Sequence, residues 1–425
     1  MYEKTEKTGF KAFIGVTFLI GFGFFTMGLM DPLYDTYVPL FLRRYIRSNA
    51  LVGAIMTFDN ILQLMLIPIV SLWSDRTSTR IGRRMPFIIV MLPLSALLFT
   101  LFPSAAGHSL TALVILIFCF NIFKTSVRGP VVSLMPDTIP GEFRSEANGV
   151  INMMGGIGLI VGTLVLAQLM NISESLPFII AGICIGIAVI VLYTGVHEKP
   201  LSGRTEEQPP MLKSLRLAFS AGDSSVPRIL GALFFWFMAY EGAKPFLGLY
   251  LVEVMHTAES NAALAQGVAG ISSVIMAVPV GYLAHRIGRR NFIRLSLVGA
   301  ALVLFLIPLS GFVTSSLLLN VSAGGSLVIF LILMFLYGAV WMGIVVNSFP
   351  MLWQMASFGT VGVYTGLYYM FSQGAAIFAP PITGFIIDAA GYEGIFIFGG
   401  ICMSIAWVIM GGVKKGEASS DRLPA

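Results

Sequence analysis

Charged and polar side chains recur at intervals of three or four residues inside long apolar segments of this 425-residue chain. They form four sets with helical spacing, namely Asp31 and Asp35, Asp59 and Gln63, Asn121 with Lys124 and Arg128, and Glu241 and Lys244. Residues three or four apart share one face of a helix, so each set predicts a polar stripe. An ionisable group inside a bilayer is unfavourable, and by default it marks a functional site.

Each set also has a structural interpretation. Arg128 could extend its side chain to the inner interface of the membrane. The two acids of the first span could be partly solvated near its outer end, and Glu241 and Lys244 could form a purely structural ion pair. Asp59 and Lys124 lie deeper in their spans, and for these two residues we favour a functional role.

The composition places most of the chain in a membrane. Residues of the set AVILMFWYC make up 56%, charged residues 11%, and the mean hydropathy is +0.87. Since soluble domains are about 25% charged, these values exclude a soluble enzyme, a disordered chain and a nucleic-acid binder, in spite of a pI of 9.1. The three cysteines and four histidines have no ligand spacing, so we expect no disulfide framework, metal or cofactor.

A membrane-spanning helix needs about 20 apolar residues, and twelve segments meet this need. They lie near residues 11–40, 50–73, 85–103, 110–131, 147–170, 176–196, 227–250, 262–284, 292–312, 325–349, 361–384 and 394–413. With both termini cytoplasmic, 20 of the 26 Lys and Arg residues fall in inner segments and three in outer ones, as the positive-inside rule requires. We therefore expect an all-α protein of the plasma (inner) membrane with twelve transmembrane helices.

A polar stretch at 197–226 divides the spans into six and six. This predicts an N-terminal half at 1–196, a cytoplasmic linker at 197–226 and a C-terminal half at 227–425 with a short cytoplasmic tail. Both halves carry a basic loop with Gly-Arg-Arg after their second span, at Gly82 and at Gly288. Such an internal repeat is typical of secondary transporters.

The inner loops carry a family resemblance. Two six-span halves with loops of the pattern G-x-x-x-D-R-x-G-R-R resemble the major facilitator superfamily. In SDRTSTRIGRRMPFI (74–88) four extra residues separate Asp75-Arg76 from Gly82, which resembles the glycoside–pentoside–hexuronide:cation symporters and most of all their sucrose-transporter-like branch. The loop PDTIPGEFRSEANG (136–149) is similar to that branch as well. The fold-level resemblance covers the whole chain, and the specific motifs cover about 60–155.

The resemblance implies that these loops latch one conformational state of the transporter. The predicted latch residues are Asp75, Arg76, Arg80, Gly82, Arg83, Arg84, Asp137, Arg144, His285, Arg286, Gly288, Arg289 and Arg290. His285 stands where the superfamily usually has Asp, which indicates either an asymmetric latch or drift in the second copy. The alternative is that the basic loops only set the topology.

The resemblance further implies a sugar site, in which polar side chains bind hydroxyl groups and aromatic rings stack on the sugar. The predicted substrate-binding residues are Asp35, Asp59, Asn60, Gln63, Asn121, Lys124, Arg128, Asn152, Trp236, Tyr240, Glu241, Lys244, Trp341, Tyr364 and Tyr368. The pair Tyr364 and Tyr368 could equally serve packing. Asn121 and Val132 stand where the branch has Asp and Arg, so we take Asp59 and Glu241 instead as candidates for the coupling proton.

Together these features predict proton-coupled symport of a disaccharide or other glycoside by alternating access. We expect a monomer that is not an enzyme, with a proton or sodium gradient as its energy source and no nucleic-acid partner. An efflux antiporter for amphipathic compounds or metabolites is the alternative on the same fold. A sensor or a lipid-handling protein is a third interpretation.

Overall fold

The computed structural model describes residues 10–140, 143–198, 224–315, 323–355 and 361–414. Within these ranges the chain forms fourteen α-helices and no β-strand. The prediction of an all-α membrane protein is therefore confirmed. Most of the predicted linker at 197–226 lies outside the described residues, so its boundaries stay a prediction.

Fourteen helices follow one another along the described part of the chain. In chain order they are α1 (Ile14–Arg43), α2 (Asn49–Met56), α3 (Phe58–Arg76), α4 (Met85–Thr100), α5 (Phe102–His108), α6 (Leu110–Thr138), α7 (Arg144–Ile160), α8 (Leu176–Gly195), α9 (Ser225–Leu249), α10 (Leu264–Ile287), α11 (Arg289–Ser315), α12 (Ala323–Trp353), α13 (Val361–Ala390) and α14 (Gly394–Gly411).

The chain divides into two compact units. The first comprises Met1–Tyr45, Phe58–Arg204 and Ala258–Ala263, and the second comprises Ile46–Thr57, Thr205–Thr257 and Leu264–Ala425. The short helix α2 thus belongs to the second unit, whereas its neighbours in sequence, α1 and α3, belong to the first unit.

The helices occupy the places of the twelve predicted spans. Among the described residues, ten helical stretches are long and apolar enough to cross a membrane, and α4 with α5 forms an eleventh that is bent by 44°. The remaining predicted span coincides with α9, which is 25 residues long but is not apolar enough to count among these eleven stretches. Glu241 and Lys244 lower its hydropathy, and they are the residues for which the sequence predicts a site.

The second predicted span is broken at Thr57, between α2 and α3. Asp388 of α13 caps α2 within the second unit. Its carboxylate accepts hydrogen bonds from the amides of Asn49 at 2.7 Å and Ala50 at 3.0 Å, and from Ser48 Oγ at 2.7 Å. A carboxylate at a helix N-terminus is stabilising, because it satisfies unpaired amides and opposes the helix dipole.

Close packing of α1 against α7 positions the charged face of α1 in the first unit. Glycines make this contact possible: a Cβ at Gly28 would collide with the backbone of Gly155, and one at Gly158 with the backbone of Phe25 and Leu29. Small residues at such contacts let membrane helices approach closely.

Replacing Gly28 by Val should therefore destabilise the fold, because backbone atoms cannot move aside as a flexible side chain can. We expect a loss of about 1–3 kcal/mol in the free energy of unfolding, measured as a lower Tm in detergent. Gly186→Val is the matched control, since no atom lies within 4 Å of a Cβ at Gly186. Equal Tm values for the two variants would contradict the close contact.

Candidate functional site

Three side chains from α1, α3 and α6 form a buried ion cluster in the first unit. Lys124 is only 7% exposed. Its Nζ lies 2.8 Å from Asp31 Oδ1 and 4.0 Å from Asp59 Oδ2. Asp59 is 8% exposed. Because a buried charge without a partner is strongly unfavourable, the cluster ties the three helices together.

Aromatic and amide groups surround the ammonium group of Lys124. Its Nζ lies 4.9 Å from the ring centroid of Tyr34, a favourable cation–π distance. The Asn121 amide donates to the Tyr34 hydroxyl at 2.8 Å, and the Gln63 amide donates to Asp59 at 3.4 Å. Asn121 is fully buried, and its Oδ1 has no hydrogen-bond partner in the described part of the chain.

Two further charges extend the cluster. Arg128 Nη1 lies 3.7 Å from Asp31 Oδ2, and the Arg128 side chain is 40% exposed. Asp35 lies one turn after Asp31 and interacts electrostatically with Lys124. With three carboxylates and two bases, the formal charge is −1 when all are ionised, so one added proton would neutralise the cluster.

The structure brings most of the predicted substrate-binding residues of the first half together. Those in or beside the cluster are Asp35, Asp59, Gln63, Asn121, Lys124 and Arg128. Asn60 is partly buried on α3 directly after Asp59. Asn152 has a different setting, because it is exposed on α7 and its amide donates to Asn148 of the same helix.

A second polar site lies in the second unit and combines an ion pair with stacked rings. On α9, Lys244 Nζ donates to Glu241 Oε2 at 3.0 Å. Tyr240, also on α9, stacks on Trp341 of α12 with ring centroids 4.2 Å apart and an interplanar angle of 2°. The Lys244 ammonium lies 5.6 Å from the centroid of the Tyr240 ring. Four predicted residues thus form one aromatic and charged platform.

The other predicted aromatic residues of the second unit are mostly packed inside that unit. Tyr368 shares a 3.0 Å hydrogen bond with Ser348 and stacks on Phe349 at 3.6 Å. Trp236 is fully buried, and its indole N–H has no acceptor among the described residues. Tyr364 is partly buried near the start of α13.

Salt bridges hold the loop between α3 and α4 against the end of α6. The buried guanidinium of Arg84 pairs with Asp75 and, at 2.9 Å, with Asp137. Arg83 pairs with Asp137 at 2.6 Å, and this hydrogen bond raises the pKa of the Arg83 guanidinium. Four predicted latch residues therefore form one network inside the first unit.

Glu198, just beyond α8, caps the N-terminus of α4. Its carboxylate accepts from the amides of Arg83 at 2.8 Å, Arg84 at 3.0 Å and Met85 at 2.7 Å. Gly82 turns the loop with φ +113, and a Cβ there would collide with the Glu198 carboxylate. Only glycine combines that backbone conformation with such close approach.

The remaining latch residues of the first loop region make fewer contacts. Arg144 donates to the carbonyls of Ile139 at 3.2 Å and Pro136 at 2.9 Å, and so satisfies the C-terminal end of α6. Arg76 and Arg80 are exposed.

The second loop does not repeat the salt-bridge network of the first among the described residues. Gly288 separates α10 from α11 with φ +91. His285 and Arg286 are exposed. Arg289 opens α11, and Arg290 Nη2 donates at 2.6 Å to a carbonyl in the last turn of α14.

Sequence reasoning omitted two residues from the site. Asp31 is the carboxylate nearest to Lys124, and its spacing to Asp35 indicates a shared face without revealing that Lys124 lies opposite. Glu198 is the cap of α4, and no spacing in the sequence connects it to that helix.

Comparison with known proteins assigns the chain to a family. Residues 14–374 match the family model of the Major Facilitator Superfamily. The tetracycline resistance protein, class H, of Pasteurella multocida is 25% identical over 228 residues, which is 50% of this chain and 50% of that protein. The chain thus aligns with about half the length of this relative.

Solved structures share the fold. The nucleoside transporter NupG has a TM-score of 0.72 at 14% identity, over 94% of this chain and 98% of that one. An auto-inhibited peptide transporter of the POT family has a TM-score of 0.70 at 12% identity, over 97% and 99%. A bacterial homologue of the iron transporter ferroportin, in an inward-facing state, has a TM-score of 0.69 at 15% identity, over 93% and 97%. At such identities the likeness concerns the fold alone, and the sucrose-transporter-like branch stays a prediction.

Replacing Lys124 by Met removes the positive partner of Asp31 and Asp59 while it keeps the length of the side chain. We expect a loss of about 3–5 kcal/mol in the free energy of unfolding, because the carboxylates lose their counter-charge. Thermal unfolding in detergent measures this loss, and Asp31→Asn added to Lys124→Met should restore part of the Tm. Arg128→Met is the matched control, with an expected loss below about 1 kcal/mol. A Tm for Lys124→Met equal to that of the wild type would refute the pairing.

Proposed function

The chain belongs to the Major Facilitator Superfamily of membrane transporters, and we propose that it couples the movement of a proton to the uptake of a sugar or other glycoside. The observation that carries this proposal is the buried ammonium of Lys124, shared between the carboxylates of Asp31 and Asp59. A carboxylate in this cluster can be ionised or protonated, and transport can alternate between these two charge states.

A proton suits this cluster better than a sodium ion. Sodium requires several oxygen atoms that converge on one point. In this cluster the Lys124 ammonium occupies that point, 2.8 Å from Asp31 and 4.0 Å from Asp59. A second cation there would be repelled by the ammonium, whereas a proton would bind covalently to a carboxylate.

Asp59 is the carboxylate that we assign to the proton. Asp31 has the shorter contact with Lys124 and a second base, Arg128, at 3.7 Å, and both favour its ionised form. Asp59 is more deeply buried and its contact with Lys124 is longer, and burial favours the neutral carboxyl group. Glu241 is the weaker candidate because Lys244 donates to it at 3.0 Å.

The platform of the second unit supports a sugar as the substrate. Tyr240 stacks on the buried Trp341, which holds the Tyr240 ring beside Glu241 and Lys244 of α9. Charged groups accept and donate hydrogen bonds to hydroxyls. The loop at 74–88, with its likeness to glycoside symporters, supports the same substrate class.

Replacing Asp59 by Asn should abolish accumulation driven by a proton gradient, because an amide does not exchange a proton. Proteoliposomes are placed in solutions of labelled mono- and disaccharides, one sugar at a time. Wild type should accumulate at least one of these sugars under an inward proton gradient. Asp59→Asn should fall to the level of empty liposomes while it still exchanges labelled for unlabelled sugar.

The control for this experiment is Glu241→Gln, which should keep gradient-driven accumulation and change only the apparent KM. If Asp59→Asn accumulates the sugar as well as wild type does, Asp59 is not the coupling residue. If wild type takes up no sugar in the panel, the substrate class is wrong.

Efflux of amphipathic compounds is the second candidate function, and the likeness to a tetracycline resistance protein favours it. Export predicts that expression of the chain lowers the amount of tetracycline retained by cells, and that Asp59→Asn abolishes this difference. Unchanged retention together with sugar uptake in proteoliposomes would exclude this candidate.

A further inference from the structure

Three arginines of the second unit converge on the C-terminal end of α14. Arg228 donates to the carbonyl of Gly412, and Arg290 Nη2 donates to that of Gly411 at 2.6 Å. The Arg294 guanidinium lies 5.1 Å from the ring centroid of Trp407, one turn earlier on α14.

The positive charge at this point exceeds what the helix end neutralises. A helix C-terminus carries a negative charge of about half a unit, whereas three guanidinium groups meet here and Arg289 opens the adjacent helix. Among the described residues, no carboxylate lies within ion-pair distance of Arg228, Arg289, Arg290 or Arg294.

Several donors of these arginines are buried yet have no acceptor. Arg289 Nη1, Arg290 Nε and Arg294 Nε are inaccessible to solvent and make no hydrogen bond among the described residues. A buried donor that lacks an acceptor is unfavourable. Three such donors on the first two turns of α11 indicate a missing anion.

The internal repeat indicates where that anion belongs. In the first unit, Glu198 is the third residue after the end of α8 at Gly195, and its carboxylate caps the helix that follows the Gly-Arg-Arg turn. In the second unit the third residue after the end of α14 at Gly411 is Lys414. The second copy therefore has a base where the first has its acid.

We propose that Arg228, Arg289, Arg290 and Arg294 bind the phosphate group of an anionic phospholipid, at the end of the repeat where the first unit has the acid Glu198 and the second has Lys414. Guanidinium groups recognise phosphate through paired, charge-assisted hydrogen bonds. This inference does not depend on the transported substrate.

The neighbouring surface favours a lipid over a free phosphate ion. Leu295, next to Arg294, is 61% exposed, and Val408, next to Trp407, is 66% exposed. Both residues are apolar and lie on membrane-spanning helices, so acyl chains can cover them while the phosphate group contacts the arginines. Basic pockets between helix ends bind anionic headgroups in this manner.

The test measures retention of phosphatidylglycerol by the full chain in nanodiscs, against a background of phosphatidylcholine. We expect Arg289→Gln with Arg294→Gln to weaken retention by about fivefold for each arginine removed. Arg286→Gln is the control for each single arginine variant, because it also removes one positive charge near Gly288 but contacts only Tyr282 among the described residues. Retention equal to wild type in the double variant would overturn the site.

A charge-reversal variant keeps the test decisive if the double variant does not fold. Lys414→Glu supplies the carboxylate that the first unit already has, so it should displace phosphatidylglycerol and raise the Tm in phosphatidylcholine alone. Retention unchanged by Lys414→Glu would overturn the proposal.

Two further outcomes would assign the site to another anion. If inorganic phosphate competes with phosphatidylglycerol at equal concentration, the ligand is soluble phosphate and the lipid is not specific. If Glu417→Gln lowers the Tm in phosphatidylcholine and leaves lipid retention unchanged, a carboxylate of the chain's own C-terminal tail fills the site. Either result would overturn the assignment to a lipid.

Discussion

The first unit depends on one interaction, the contact of the buried Lys124 ammonium with Asp31 and Asp59. Separating the three groups would leave the Lys124 ammonium, which is 7% exposed, without its two counter-charges. Their shared position therefore fixes which faces of α1, α3 and α6 meet. The same contact leaves a net negative charge that one proton removes. Stability and the proposed coupling thus have a common origin.

Charge compensation also distinguishes the two loops that carry Gly-Arg-Arg. In the first unit, Arg83 and Arg84 have Asp137, and their backbone amides have Glu198. In the second unit, Arg290 has the carbonyl of Gly411, and Arg289 makes no ion pair among the described residues. The two copies of the repeat share a backbone turn with positive φ at Gly82 and Gly288. The first copy has its counter-charge in the chain itself, and the second, as we propose, takes it from a lipid.

The sequence predicts the helices well, because apolar length is a local property. Each predicted span overlaps its helix, although some ends differ by six to ten residues, and α9 lies at its predicted place in spite of Glu241 and Lys244. The break at Thr57 is not predictable, since it depends on Asp388, more than 300 residues away in sequence. Helical spacing places Lys124 and Asp31 on the polar faces of their own helices. It cannot give their 2.8 Å contact, which requires knowledge of how two helices pack.

Infrared difference spectroscopy during a pH titration tests most directly whether Asp59 carries the proton. In reconstituted wild type, lowering the pH should produce the carbonyl band of a protonated carboxyl group in a dry environment. This band should be absent from Asp59→Asn and present in both Asp35→Asn and Glu241→Gln. A band that persists in Asp59→Asn, or that disappears in Glu241→Gln instead, would contradict the assignment of the coupling proton to Asp59.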